Sequence, residues 1–210
     1  MCIRDRKGIS LCGIRRDQTT ADFFNKRLDP PDAILLASDL SQAVVTGGLT
    51  ALNLSSNSLK DEGVNAVCEA IQSNKETKLA SLNFSYNSIG PVGANAVAAM
   101  VAVTGALTAL NLSSNDIGSH WDYDQDEIVS TPEGPKAIAD ALLVNGALTA
   151  LDLSSNDLKD EGVCAVCEAI QSNKETKLAS LNFKNNGIGP GGANAVAAMV
   201  AVTGALTKME

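Results

Sequence analysis

The chain has 210 residues, of which 45% are hydrophobic and 3% aromatic, with a net charge of −8. That composition excludes a disordered polymer and suits many small layers of Leu, Ala, Val and Ile better than one large core. All five arginines (Arg4, Arg6, Arg15, Arg16, Arg27) lie in the first 27 residues, and from residue 34 onward 9 Lys stand against 19 Asp and Glu, a net of −10. An acidic body without arginine speaks against nucleic acid, whose phosphates need a cationic stripe, and against an anionic membrane surface.

Residues 1–17 fit no repeat and read as an irregular segment; the opening Met1-Cys2-Ile3-Arg4-Asp5-Arg6 has the look of a sequence artefact. No apolar signal region is visible there. No apolar run approaches the roughly 20 residues of a membrane span; the longest, Ala94 to Val103, is broken by Asn95. The cysteines, Cys2, Cys12, Cys68, Cys164 and Cys167, are odd in number. They point to reduced thiols and a cytoplasmic setting rather than a disulfide framework.

Residues 18–48 read as a degenerate first repeat and N-terminal cap, with Phe23 aligned on Leu54, Leu28 on Leu59 and Leu40 on Ile71. Asp29-Pro30-Pro31 is a helix-start signal and predicts a helix from Pro31 to about Val45. Five strongly similar units follow at 49–78, 79–106, 107–147, 148–177 and 178–205. They open LTALNLSSNSL, LASLNFSYNSI, LTALNLSSNDI, LTALDLSSNDL and LASLNFKNNGI. A further start at Leu206 reaches only to 210, so the sequence reads as a fragment.

Within a unit, Leu52 and Leu54 alternate with Ala51, Asn53 and Ser55, the period of a half-buried strand. Asn57 then leaves the strand, where its amide can satisfy turn backbone, and Asn87, Asn115, Asn156 and Asn186 would stack on it as a ladder. Lys60-Asp61-Glu62-Gly63 reads as a turn with Asp61 as N-cap. A helix follows, with Val64, Val67, Ala70 and Ile71 on one face. One strand and one helix per 28–30 residues force an α/β solenoid: a parallel sheet on the concave face, wider helices on the convex face, and a horseshoe curvature. A longer repetition lies above this one. Residues 49–78 match 148–177 at 27 of 30 positions, and 79–107 match 178–206 at 25 of 29, so a two-repeat cassette recurs at an offset of 99.

The repeat length, the L-x-x-L-x-L-x-x-N-x-L strand and the helix reading Val67-Cys68-Glu69-Ala70-Ile71 resemble the ribonuclease-inhibitor-like class of leucine-rich repeats over about residues 18–210. The resemblance implies a right-handed leucine-rich-repeat solenoid. It also implies a non-catalytic scaffold whose ligand is another protein, held on the concave face. Branches of that class also include a regulator of a small GTPase, and a spacer without a specific partner remains an alternative. In ribonuclease inhibitor the position of Cys68 and Cys167 also tends to carry cysteine, which implies a packing role.

Protein-binding candidates on the concave face are Asn83, Tyr86, Asn111, Asp152 and Lys184, although only Tyr86 is of the anchoring type. The third unit carries an insertion at 119–131 with His120, Trp121 and Tyr123, which reads either as a specificity element or as a tolerated loop. Its Asp122-x-Asp124-x-Asp126, with Glu133, has the oxygen spacing of a calcium loop, but Glu127 stands where such a loop needs glycine. No metal, cofactor, small-molecule substrate, nucleic acid or membrane is expected, and no catalytic constellation is visible.

Overall fold

The computed structural model describes residues 12–15, 17–42, 47–122 and 126–210. Strands β1 (Thr20–Asp22), β2 (Ala51–Asn53), β3 (Ser81–Asn83), β4 (Ala109–Asn111), β7 (Ala150–Asp152), β8 (Ser180–Asn182) and β9 (Lys208–Met209) form one sheet. They stand side by side in chain order, all parallel. A separate antiparallel pair, β5 (Ser119–Asp122) and β6 (Glu127–Ser130), comes from the insertion. The helices are α1 (Pro30–Leu40), α2 (Lys60–Ser73), α3 (Pro91–Val103), α4 (Glu133–Val144), α5 (Lys159–Ser172) and α6 (Pro190–Val202), each packed on the next.

Register follows from the leucine pattern. Leu52, Leu82, Leu110, Leu151 and Leu181 pair in sequence across the sheet, each buried. Neighbouring strands lie about 4.8 Å apart, whereas packed helices need about 8–10 Å, so the stack bends toward its sheet. Cys68, Val64, Val67 and Ile71 close the core behind the strands. Among the described residues α6 packs on one helix only, α5, and buries Gly192 and Met199, where α3, of nearly the same sequence, buries six residues.

Helix starts differ from expectation in two places. Asp29 does cap α1, in a reciprocal box with Asp32, but the helix runs Pro30–Leu40 and closes at Ser41; 43–46 lie outside the described residues. Lys60 to Gly63 is not a turn but the first turn of α2, and Asp61 does not cap its own helix. Its Oδ1 accepts from the N–H of Gly90, 2.7 Å away, which is the N-cap of α3 in the next repeat. Asp160 repeats the arrangement, accepting from Gly189 at 2.6 Å and Gly191 at 3.1 Å. A Cβ on Gly93 would lie 2.5 Å from Asp61 Oδ1, and one on Gly192 2.9 Å from Asp160 Oδ1, so glycine is what lets the carboxylate approach. These N–H groups, Gly189 first, then Gly192 and Gly191, hold the Asp160 carboxyl below its ordinary range.

The turn asparagines are linked from repeat to repeat by hydrogen bonds. Asn115 Nδ2 donates to the carbonyls of Phe84, Leu112 and Ser113, while its Oδ1 accepts from the N–H groups of Asn87 and Ile89. Asn57, Asn87, Asn156 and Asn186 donate in the same way to their own strand and to the preceding repeat. A second ladder, not anticipated from the sequence, ties the helix C-termini. Asn74, Asn145 and Asn173 donate to Leu40, Val101 and Leu142 carbonyls of the preceding helix, at 2.8, 2.8 and 2.7 Å.

One rung of the first ladder is broken. Asn57, Asn87, Asn115 and Asn186 accept through Oδ1 from Leu28, Leu59, Ile89 and Leu158 respectively. By register Asn156 should accept from Ile117, yet its buried Oδ1 has no partner. The cause is local. Just after Ile117 the chain closes a tight turn, Ser119 N–H onto Asp116 carbonyl at 3.1 Å, to enter the insertion.

Removing an intact rung should therefore be costly. Asn115→Ala leaves several buried backbone groups unpaired, each worth about 1–3 kcal/mol, so urea unfolding should show a loss of at least about 3 kcal/mol; Asn156→Ala, already lacking its acceptor role, should lose less. Asp160 gives a pH signature. Its folded carboxyl titrates below the ordinary value of 3.8, so its stabilisation is complete above that value and disappears as pH falls through the lower folded one. Wild type and Asp160→Asn should differ in thermal midpoint at pH 7, and the difference should shrink as pH falls below 3.8.

Candidate functional site

The concave face is built from the outward residues of the strands. Asn83, Asn111 and Asp152 sit there in register, but each Oδ1 accepts from the backbone N–H two residues on, of Ser85, Ser113 and Ser154, at 2.9, 2.8 and 2.9 Å. These side chains stabilise the strand exits, which limits their free hydrogen-bonding capacity. The depression they line, of about 350 Å³, also takes in Ser81, Ser180 and Lys208. Lys184 is exposed at the strand exit, its N–H on Asn182 Oδ1.

Tyr86 stands apart. It is 61% exposed and its φ is +56°. The residue before every ladder asparagine has this left-handed backbone, elsewhere as Ser56, Ser114, Ser155 and Asn185, and Asn25 has it at the matching place of the first repeat. Asn tolerates that conformation through local hydrogen bonding, whereas a bulky aromatic is an outlier there.

The insertion is a hairpin in its described part, with Ser119 opposite Ser130, His120 opposite Val129, Trp121 opposite Ile128 and Asp122 opposite Glu127. Its base is fixed by Thr131 N–H on the Gly118 carbonyl at 2.9 Å. Tyr123 and Asp124 lie outside the described residues. The hairpin also changes the calcium reading. Asp126 precedes β6, while Glu133 opens α4 beyond its other end, so an extended strand of roughly 3.3 Å per residue separates them instead of one encircling loop.

Between the hairpin and the N-terminal turns of α2 and α3 lies a cleft of about 940 Å³. Val92 and Ile128 line it at 68% and 65% exposure. Asp61, Glu62, Asp116 and Glu133 supply its carboxylates, against Lys60 and His120. Partial desolvation, then the nearby charge of Asp61, pushes the Asp116 carboxyl above its ordinary value. The sequence offered no direct sign of this cleft, because its walls come from three repeats and the hairpin.

The cysteines are packing groups by their surroundings. Cys68 and Cys167 are fully buried, and burial pushes both thiols far up, Cys167 to about 12, away from the reactive thiolate. Cys164, half-buried, is raised for the same first reason.

A family model described as leucine-rich repeat matches residues 49–68, 75–98, 107–119, 147–167 and 174–197. In four units the match covers the strand and the first part of the helix, and in the third it covers the strand and stops before α4. The chain is a leucine-rich-repeat protein of the ribonuclease-inhibitor-like type. Among solved structures it is similar to leiomodin-1 actin-binding site 2, with a TM-score of 0.61 at 20% identity over 81% of this chain and 87% of that one. It is also similar to the tropomodulin C-terminal domain of Caenorhabditis elegans, with a TM-score of 0.60 at 15% identity over 81% and 92%. At such identities the likeness is one of fold. No curated protein sequence matches the chain. Among the described residues no helix of this leucine-rich-repeat chain is long and apolar enough to cross a membrane.

Proposed function

We propose that the chain is a non-catalytic protein-interaction module. Its contact surface runs from the concave rim at Tyr86 along the strand exits toward the hairpin. The observation that carries this reading is Tyr86 itself. An aromatic held at φ +56° with most of its surface in solvent does nothing for the fold that serine or asparagine does not do in the other repeats. Backbone strain of this kind is about 1–3 kcal/mol, and tyrosine is among the residues that anchor protein interfaces. That leiomodin-1 builds an actin-binding site on the same fold supports a protein as the ligand class. The free thiols of Cys68, Cys164 and Cys167 support a reducing, cytoplasmic setting.

Tyr86→Asn, which installs the residue found at Asn185 in the duplicate cassette, tests the reading from both sides. Thermal unfolding should show a gain of about 1 kcal/mol from relieved strain. A photo-crosslinking amino acid at position 86, in extract of the source organism, should capture a discrete protein adduct that the same group at position 185 does not. Equal capture at both positions, or none at 86, would contradict the reading.

A further inference from the structure

The duplicated cassette is an internal control for what the fold requires. Residues 79–107 and 178–206 build the same strand, turn and helix, yet differ at four positions: Ser85, Tyr86, Ser88 and Val92 against Lys184, Asn185, Gly187 and Gly191. All four lie between the strand exit and the first helical turn; Ser85 is buried at the strand exit, while Tyr86, Ser88 and Val92 are exposed. Ser88 and Val92 line the cleft beneath the hairpin. An exposed valine at the second position of α3 is not demanded by that helix, since α6 starts equally well with Gly191 there.

The opposite wall supplies Ile128, projecting from β6 at 65% exposure. Two large apolar side chains thus face solvent across a cleft rather than the core. Around them stand Asp61, Glu62, Asp116 and Glu133, and among the described residues none of these is in an ion pair. The nearest lysine on α4, Lys136, is held by Glu161 at 2.8 Å. In the second cassette the lysine matching Lys60 does pair locally, Lys159 with Asp157 at 2.5 Å, where the first cassette has Ser58. The cleft is therefore apolar along its middle and carries excess negative charge around it. Partial desolvation first, and then the charge of Asp61, hold the Asp116 carboxyl above its ordinary value.

We infer that the cleft between the hairpin and α3 is a docking groove for an extended segment of a protein partner that alternates apolar with lysine or arginine side chains. The apolar groups would cover Val92 and Ile128, and the cations would meet Asp116, Glu62 and Glu133. This inference rests on the protein-interaction reading and adds the partner's chemistry to it. An acidic or purely polar segment fails on charge or on apolar contact, and a small anionic ligand meets four carboxylates.

The test uses the full chain and three synthetic ten-residue peptides: leucine alternating with lysine, leucine with glutamate, and glycine with lysine. The leucine–lysine peptide should perturb the amide signals of Ser88, Val92, Asn95 and Ile128, and its affinity should fall with added salt. The other two peptides should bind at least tenfold more weakly. Val92→Gly, safe for the fold because Gly191 occupies the matching site, should weaken the leucine–lysine peptide at least fivefold, as should Asp116→Asn. Signal changes confined to other surfaces, equal binding of the leucine–glutamate peptide, or indifference to both substitutions would overturn the inference. Should the crosslink at position 86 still capture its partner, only the groove is lost and the interaction module stands.

Discussion

A strand of three residues followed by an abrupt turn leaves backbone donors and acceptors inside the protein with no sheet or helix to receive them. Everything else in this solenoid depends on satisfying those groups. The side-chain amide of one asparagine per repeat does so, donating to carbonyls of its own strand and of the repeat before, and accepting N–H groups from that earlier repeat. Each rung therefore joins two units, and a repeat that could not bury its leucines alone is fixed to its neighbour at the correct height. The helix ends are tied by a parallel device, Asn74, Asn145 and Asn173, and the helix starts by Asp61 and Asp160. Strand exit, helix start and helix end are thus each fastened to the adjoining repeat.

Such regularity leaves little room for specificity on the repeated positions themselves. The concave asparagines and Asp152 are engaged in stabilising turns. What distinguishes one surface from another is where the repetition is interrupted: Tyr86 in a turn made for asparagine or serine, Val92 where the duplicate has glycine, and the hairpin after Gly118. These three lie in adjoining repeats along one edge. The hairpin also breaks the ladder at Asn156, so the irregular edge coincides with the one unpaired buried side-chain acceptor among the described residues.

Most of the fold was legible in the sequence because it is written several times. The strand alternation at Leu52 and Leu54, the turn asparagines and the helix face of Val64, Val67 and Ile71 each depend on near-neighbour spacing that periodicity reports directly. Asp61 was misplaced because its distance from its own helix start is right for a cap, while its true partner, Gly90, lies 29 residues away in sequence. The C-terminal asparagines escaped notice for the same reason, since each acts on the helix before it. The cleft was beyond a one-dimensional reading altogether. The order of the insertion was equally open, because His120, Trp121 and Ile128 gain strand character only by pairing with each other across the turn.

The central claim is that turn amides are held by asparagine side chains of the next repeat, and that the insertion interrupts this at a single rung. Residue-resolved amide hydrogen exchange tests it most directly. The amides of Leu59, Ile89 and Leu158, each donating to an asparagine Oδ1, should be strongly protected. The amide of Ile117, which by register belongs to Asn156 but leaves that oxygen unpaired, should exchange markedly faster. Equal protection at all four positions, or rapid exchange at Ile89 and Leu158, would contradict the account.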